Sequence, residues 1–235
     1  MNKIYLSALA GKPLIKYLNR NGYETVFITG TSGLSAGSPV YNEALTHADI
    51  YMCQLGLWEN SRIFMGNTAE LKSHYPGNII YNALCTGKYF IHNFKYTSPA
   101  LSEAVSSYAH SDGIINVSVS QGYTRCCCLP VNENSFITSD AGISKALESA
   151  GADVLLIKPG HIFLPGFEYG FIGGCGGNII TDNRRTVIIN GNLKAHPDYE
   201  KIADFIKARD INLVFFEEYA LEDIGSILVG RKYLR

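Results

Sequence analysis

The sequence predicts a single α/β domain over residues 1–235: a five-fold pseudo-symmetric α/β propeller built from strand–strand–helix–strand units. Three observations carry the prediction. Strand-length apolar runs alternate with helix-period segments along the whole chain. Two short strands precede most helices, whereas a doubly wound sheet alternates one strand with one helix. The two ends of the chain carry complementary parts of one further unit, so pairing the termini closes the ring and removes the exposed sheet edges. A three-layer, doubly wound α/β domain with hairpin insertions is the alternative that the same rhythm admits.

The elements follow in order. Lys3 to Ser7 reads as a strand, Lys12-Pro13 to Asn21 as a helix with proline near its first position, and Glu24 to Thr29 as a strand; this unit lacks a first strand. Thr29-Gly30-Thr31-Ser32-Gly33 and the Gly33 to Pro39 stretch read as a surface loop. The next unit, residues 48–82, has strands at Ala48 to Cys53 and Arg62 to Gly66, a short helix at Thr68 to Ser73 and a strand at Asn78 to Asn82. Residues 83–118 repeat the order: strands Ala83 to Gly87 and Lys88 to His92, a helix from Pro99 through Ser107, and a strand Gly113 to Ser118.

The unit at 124–157 is the best formed, with strands Thr124 to Cys128 and Ser135 to Thr138 and a strand at Asp153 to Ile157. Its helix, Asp140 to Gly151, follows from Ile143, Ala146 and Leu147 at i, i+3, i+4, with Ser139 or Asp140 as N-cap and Gly151 as terminator. In 171–216 the strands are Phe171 to Ile180, Thr186 to Asn190 and Ile211 to Phe216, around a helix His196 to Asp210. Asp223 to Val229 is a lone first strand, and 223–229 joined with 3–29 completes the fifth unit.

Composition narrows the function classes. The chain has 235 residues, 46% hydrophobic and 17% charged, with net charge −1, so it has the material for a real core and disorder is excluded. With no basic excess to neutralise phosphates, a dedicated nucleic-acid binder is disfavoured. No apolar run approaches the roughly 20 residues of a membrane helix, and Gly11-Lys12-Pro13 interrupts any leader-like stretch, so a cytoplasmic protein is expected. The six cysteines, Cys53, Cys85, Cys126, Cys127, Cys128 and Cys175, form no C-x-x-C pair; reduced, buried thiols and no metal or cofactor are expected. In a strand Cys126 and Cys128 would share one face and Cys127 take the other.

The five-unit order resembles the pentein superfamily of guanidino-group modifying enzymes, which also includes a ribosome anti-association factor. Gln121 to Cys126 (QGYTRC), Lys158 to Gly174 (KPGHIFLPGFEYGFIGG) and His196 to Ile202 (HPDYEKI) look like segments of a bacterial branch known by its domain rather than by an activity. The resemblance implies first strands converging on a central axis, with a site at one mouth of the channel. It further implies a cysteine nucleophile from the last unit, a histidine, and carboxylates that grip the guanidinium. A guanidinium carbon is a poor electrophile, so a thiolate attacks it, a histidine moves protons and carboxylates hold the planar cation. The last unit here reads Leu221 to Ser226 with no cysteine, so that nucleophile does not carry over.

The residues themselves supply substitutes. Cys126 lies beside Arg125, and a nearby cation lowers a thiol pKa; Cys175 sits in another first strand. Asp49 and Asp223 occupy similar places in units adjacent across the closure, where two carboxylates would suit a cationic or polyhydroxylated ligand, and His47, two residues from Asp49, could join them as acid or base. His161, in a Gly/Pro-bracketed loop, is the favoured acid/base, and the linker carrying Glu168 and three aromatics would form a lid or rim. His196 reads as a structural helix start. The glycines at 170–177 precede a turn rather than a helix, so they permit close strand approach and do not bind a dinucleotide. No G-x-S-x-G elbow and no Walker motif occurs.

Two functions follow. One is a hydrolase or transferase acting on a small polar guanidino- or amide-type molecule at the channel mouth, with Cys126 as nucleophile, His161 as acid/base, and Asp49, Asp223, Arg125, Cys175 and Glu168 around the substrate. The other is a non-catalytic module that binds a protein partner on its ring face.

Overall fold

The computed structural model describes residues 3–29, 45–72, 74–109 and 113–232. The loop expected at 30–39, and Ser73 at the end of a predicted helix, lie outside the described residues. The chain begins with β1 (Lys3–Ser7), α1 (Lys12–Arg20) and β2 (Glu24–Ile28). Pro13 sits in the first turn of α1, where no backbone donor is needed, and the helix buries Leu14 and Leu18, four residues apart. Then come α2 (Ala48–Tyr51), β3 (Met52–Leu55), β4 (Arg62–Met65), β5 (Leu84–Cys85), β6 (Tyr89–His92), α3 (Pro99–Tyr108) and β7 (Ile115–Ser118). The next group is α4 (Thr124–Cys127), β8 (Cys128–Pro130), β9 (Ser135–Thr138), α5 (Ala141–Ser149) and β10 (Asp153–Leu156). The chain ends with α6 (Ile172–Cys175), β11 (Gly176–Thr181), β12 (Arg184–Ile189), α7 (Tyr199–Lys207), β13 (Asn212–Val214) and β14 (Leu228–Lys232).

One pairing rule recurs. In β5–β6–β7, β8–β9–β10 and β11–β12–β13, the first strand is antiparallel to the second and the second parallel to the third. The parallel step is the one spanned by a helix, because parallel neighbours need a crossover. The termini make a fourth set by the same rule. β14 runs antiparallel to β1, with Lys3, Ile4 and Tyr5 opposite Gly230, Val229 and Leu228, and β1 runs parallel to β2.

The fold is mixed α/β with several sheets: eight strands in the order β2-β1-β14-β4-β3-β5-β6-β7, and two three-stranded sheets. Among the described residues these do not join into a closed barrel. No helix there is long and apolar enough to cross a membrane.

Several predicted elements are corrected. Three expected first strands open as single helical turns, at 48–51, 124–127 and 172–175, and the strand follows. These turns are crowded against one another: a Cβ on Gly173 would lie 2.2 Å from the Arg125 carbonyl oxygen. There is no room for a ladder, and a helical turn places its backbone groups where neighbouring turns can pair them. The alternation expected of Cys126, Cys127 and Cys128 is therefore lost, since two of the three lie in a turn.

Asn78 to Asn82 forms consecutive turns, not a strand. The parallel neighbour of β4 is instead the end of β14, with Arg231 opposite Arg62. The helix at 68–73 reduces to a 3₁₀ turn at Thr68–Glu70, α7 starts three residues later than expected, and the last strand begins only at Leu228.

Candidate functional site

Five short segments touch in circular order. The Asp49 N–H donates to the Gly225 carbonyl, and the Cys53 thiol donates to the Ala83 carbonyl at 3.3 Å. The Asn82 Oδ1 accepts the Arg125 N–H at 2.9 Å, and the Arg125 guanidinium donates to the Gly173 and Gly176 carbonyls at 2.8 and 2.9 Å. The Gly174 carbonyl accepts the Ile224 and Ser226 N–H groups, which returns the series to its start. Arg125 is thus a buried cation satisfied by backbone carbonyls, tying α4 to α6.

Residues of three of these stretches, Ile50, Cys126 and Asp223, help to line a cavity of about 230 Å³. Its walls are mainly apolar and aromatic, including Ile50, Tyr123, Leu164, Phe167, Tyr169 and Phe171, and its polar lining is His47, Cys126, Glu168 and Asp223. Half of the lining comes from one loop, 164–171. That loop is pinned at its base: Gly170 N–H donates to Ile162 at 2.8 Å, Phe163 N–H donates to Leu221, and Asp223 N–H donates to Phe163, both at 2.9 Å.

Asp49 lies directly behind the wall, fully buried. Its Oδ2 accepts the Cys126 thiol at 2.9 Å and the Ser226 hydroxyl at 2.6 Å, while Oδ1 is buried with no hydrogen-bond partner. The Asn82 Nδ2 donates to the Cys126 Sγ at 3.4 Å. Asp223 accepts from the Phe171 N–H at 2.9 Å and the Gly225 N–H at 3.0 Å, so one carboxylate fixes both the loop's exit and its own turn. Gly174 has to be glycine, because a Cβ there would fall 1.9 Å from Asp223 Oδ1.

Burial sets the protonation states. It pushes Asp49 up, against the opposing pull of His47 and the Cys126 and Ser226 donors, and raises Asp223 to about 6. Burial also lowers His47, with Asp49 partly offsetting it. Cys126 is driven well above an ordinary thiol by burial first and then by Asp49 and Asp223. At rest it is a neutral S–H donor, and Arg125 does not activate it. The ligand atoms of His47, Asp49 and Cys126 lie within 4.8 Å of one another, which makes them the group among the described residues able to hold a metal ion.

Of the residues singled out from the sequence, Cys126, Asp223 and Glu168 line the cavity, and Asp49 backs Cys126. Arg125 and Cys175 do not line it. Cys175 is a core thiol donating to the Phe171 carbonyl, packed among Leu57, Ile172 and Val187. His161 is not brought to the cavity. It is exposed and meets His196 edge-on at 5.9 Å, so the histidine at the site is His47. All six cysteines are free and buried. Asn82 and Ser226 were not anticipated from the sequence. The available signal was positional: both stand, like Cys126, just ahead of a first strand.

The chain matches, over residues 57–228, a family described as a family of unknown function (DUF6873). No curated protein and no solved structure matches it.

Proposed function

This chain belongs to the DUF6873 family of unknown function, so its activity has to be read from the cavity itself, and we propose a pentein-like hydrolase for small molecules with an amidine or guanidine head and an apolar body. The observation that carries the reading is Cys126: a thiol on the wall of a cavity, bonded to Asp49 and Asn82, with His47 and Asp223 lining the same space. The circular order of contacts among five segments, and the pairing rule shared by four strand sets, support a five-unit ring around this site. The third unit supplies the thiol in place of the last, where Ser226 is fully buried.

The chemistry follows from the neighbours. Tyr123, Phe167, Tyr169 and Phe171 suit the apolar body and the face of a cation. Asp223 and Glu168 attract the cationic head. Its charge beside Cys126 opposes the rise imposed by burial and by the two acids, and so favours the thiolate. The thiolate adds to the central carbon. One C–N bond breaks, and the amine leaves with the thiol's proton, passed through His47. Water then cleaves the C–S bond, leaving a carbonyl oxygen on the product and a proton on sulfur. The net reaction is amidine plus water to amide plus amine.

A second reading, a module binding a protein partner, draws on Phe163 and Phe167, which are 56% and 50% exposed at the loop. Net charge −1 favours neither nucleic acid nor another polyanion as partner. Free thiols support a reducing, cytoplasmic setting.

The test is ammonia release from benzamidine and from agmatine. Release that disappears in Cys126→Ser and falls in Asp223→Asn is expected. No release from either compound, with no thermal shift on adding them, overturns the hydrolase; a thermal shift without release favours a binding module.

A further inference from the structure

We propose that His47, Asp49 and Cys126 form a three-ligand site for a thiophilic divalent cation of the zinc class, with its remaining coordination position open to the cavity. The three ligand atoms already lie within 4.8 Å of one another. A tetrahedral ion with bonds of about 2.0–2.3 Å holds its ligands roughly 3.5 Å apart, so only a small closure is needed.

The independent sign is Asp49. It is wholly buried, one oxygen takes two donors, and the other takes none. A buried carboxylate oxygen without a donor is rare in proteins, and a cation is the partner it lacks. Charge agrees: a thiolate, a carboxylate and a neutral imidazole around a 2+ ion make a neutral site. That removes the desolvation penalty which each anion would carry alone.

Sulfur and imidazole select zinc-like ions over magnesium or calcium. The outer contacts are also in place, with the Ser226 hydroxyl on Asp49 and the Asn82 amide on Cys126 orienting two of the three ligands. Three protein ligands with a cavity at the fourth position is the open type of site, and His47 and Cys126 both face that cavity. Binding releases the thiol proton to solvent. The site stands independently of the hydrolase; resting on that reading, metal occupancy would silence Cys126, because a coordinated sulfur is not free to add to an amidine.

The experiment strips the full chain with a chelator and titrates it with Co²⁺, following the thiolate-to-metal charge-transfer band. A saturable band at a single equivalent is expected. It should vanish in Cys126→Ser, weaken in His47→Ala and Asp49→Asn by more than the roughly 10–100-fold that loss of an outer-shell partner costs, and stay unchanged in His161→Ala. A measurement that needs no variant accompanies it: Zn²⁺ added to the stripped native chain should release the Cys126 thiol proton, read as acidification of a weakly buffered solution. No saturable band, or a band that survives Cys126→Ser, overturns the site. Amidine hydrolysis without metal binding would sink the metal site alone; metal binding with no hydrolysis by the stripped chain would sink the hydrolase alone.

Discussion

The two oxygens of Asp49 live in different surroundings, and much of the site's chemistry comes from that difference. Oδ2 collects the thiol and the hydroxyl, while Oδ1 is buried with no hydrogen-bond partner. Single residues elsewhere carry the same lesson of burial. His92 is fully buried and held near pKa 4 by desolvation, bonded through Nδ1 to Thr124. Its folded value lies below the unfolded 6.5, so the neutral ring contributes stability that is fully present above pH 6.5 and lost as pH falls towards 4. Relative to His92→Gln, the native chain should lose about 3 kcal/mol over that window in urea unfolding; a difference that does not change with pH would refute the assignment.

Gly174→Ala places a methyl group on Asp223, which two backbone donors hold still. A loss of about 1–3 kcal/mol is expected, with weakened ligand binding; a variant as stable as the native chain would contradict the packing described. That Cys126, Asp49 and Asp223 lie together was approachable from the sequence, because residue type and place in the predicted unit coincide. His161 stands outside the cavity lining, since a loop position says nothing about which way a loop turns.

Among the elements, α5 is the most readable. Asp140 accepts the Ile143 N–H at 2.8 Å, and Ile143 and Leu147 are buried on one face. Asp140→Ala should cost about 1 kcal/mol by denaturant unfolding without touching the cavity. The first strands were less readable. Segments as short as 124–128 and 171–175 have no period that separates strand from helical turn, and crowding against neighbouring turns decided the matter.

The 164–171 loop fills half of the cavity lining while its tip stays exposed. Phe167→Ala should therefore weaken benzamidine binding severalfold while moving the melting temperature little. A large melting shift would mean that the loop supports the core rather than the ligand.

For the molecule as a whole, β14 is the joint. It lies between β1 and β4, and its Leu228 and Val229 are buried. Amide protons of β1 should rank among the slowest to exchange, since both of its edges are paired. Deleting residues 228–235 should expose them and abolish cooperative unfolding; preserved β1 protection in the truncated chain would show that closure is dispensable.

The sequence by itself determined the alternation of strands with the longer helices and the pairing of the two ends, because period, caps and turn residues act over a few positions. It also singled out the acids and thiols worth testing. Only the tertiary structure decided that single turns replace the first strands, that His47 rather than His161 reaches Cys126, and that Asp49 keeps an unpaired oxygen. Those outcomes depend on which segments crowd one another across the chain, and neighbours distant in sequence leave no local pattern to read.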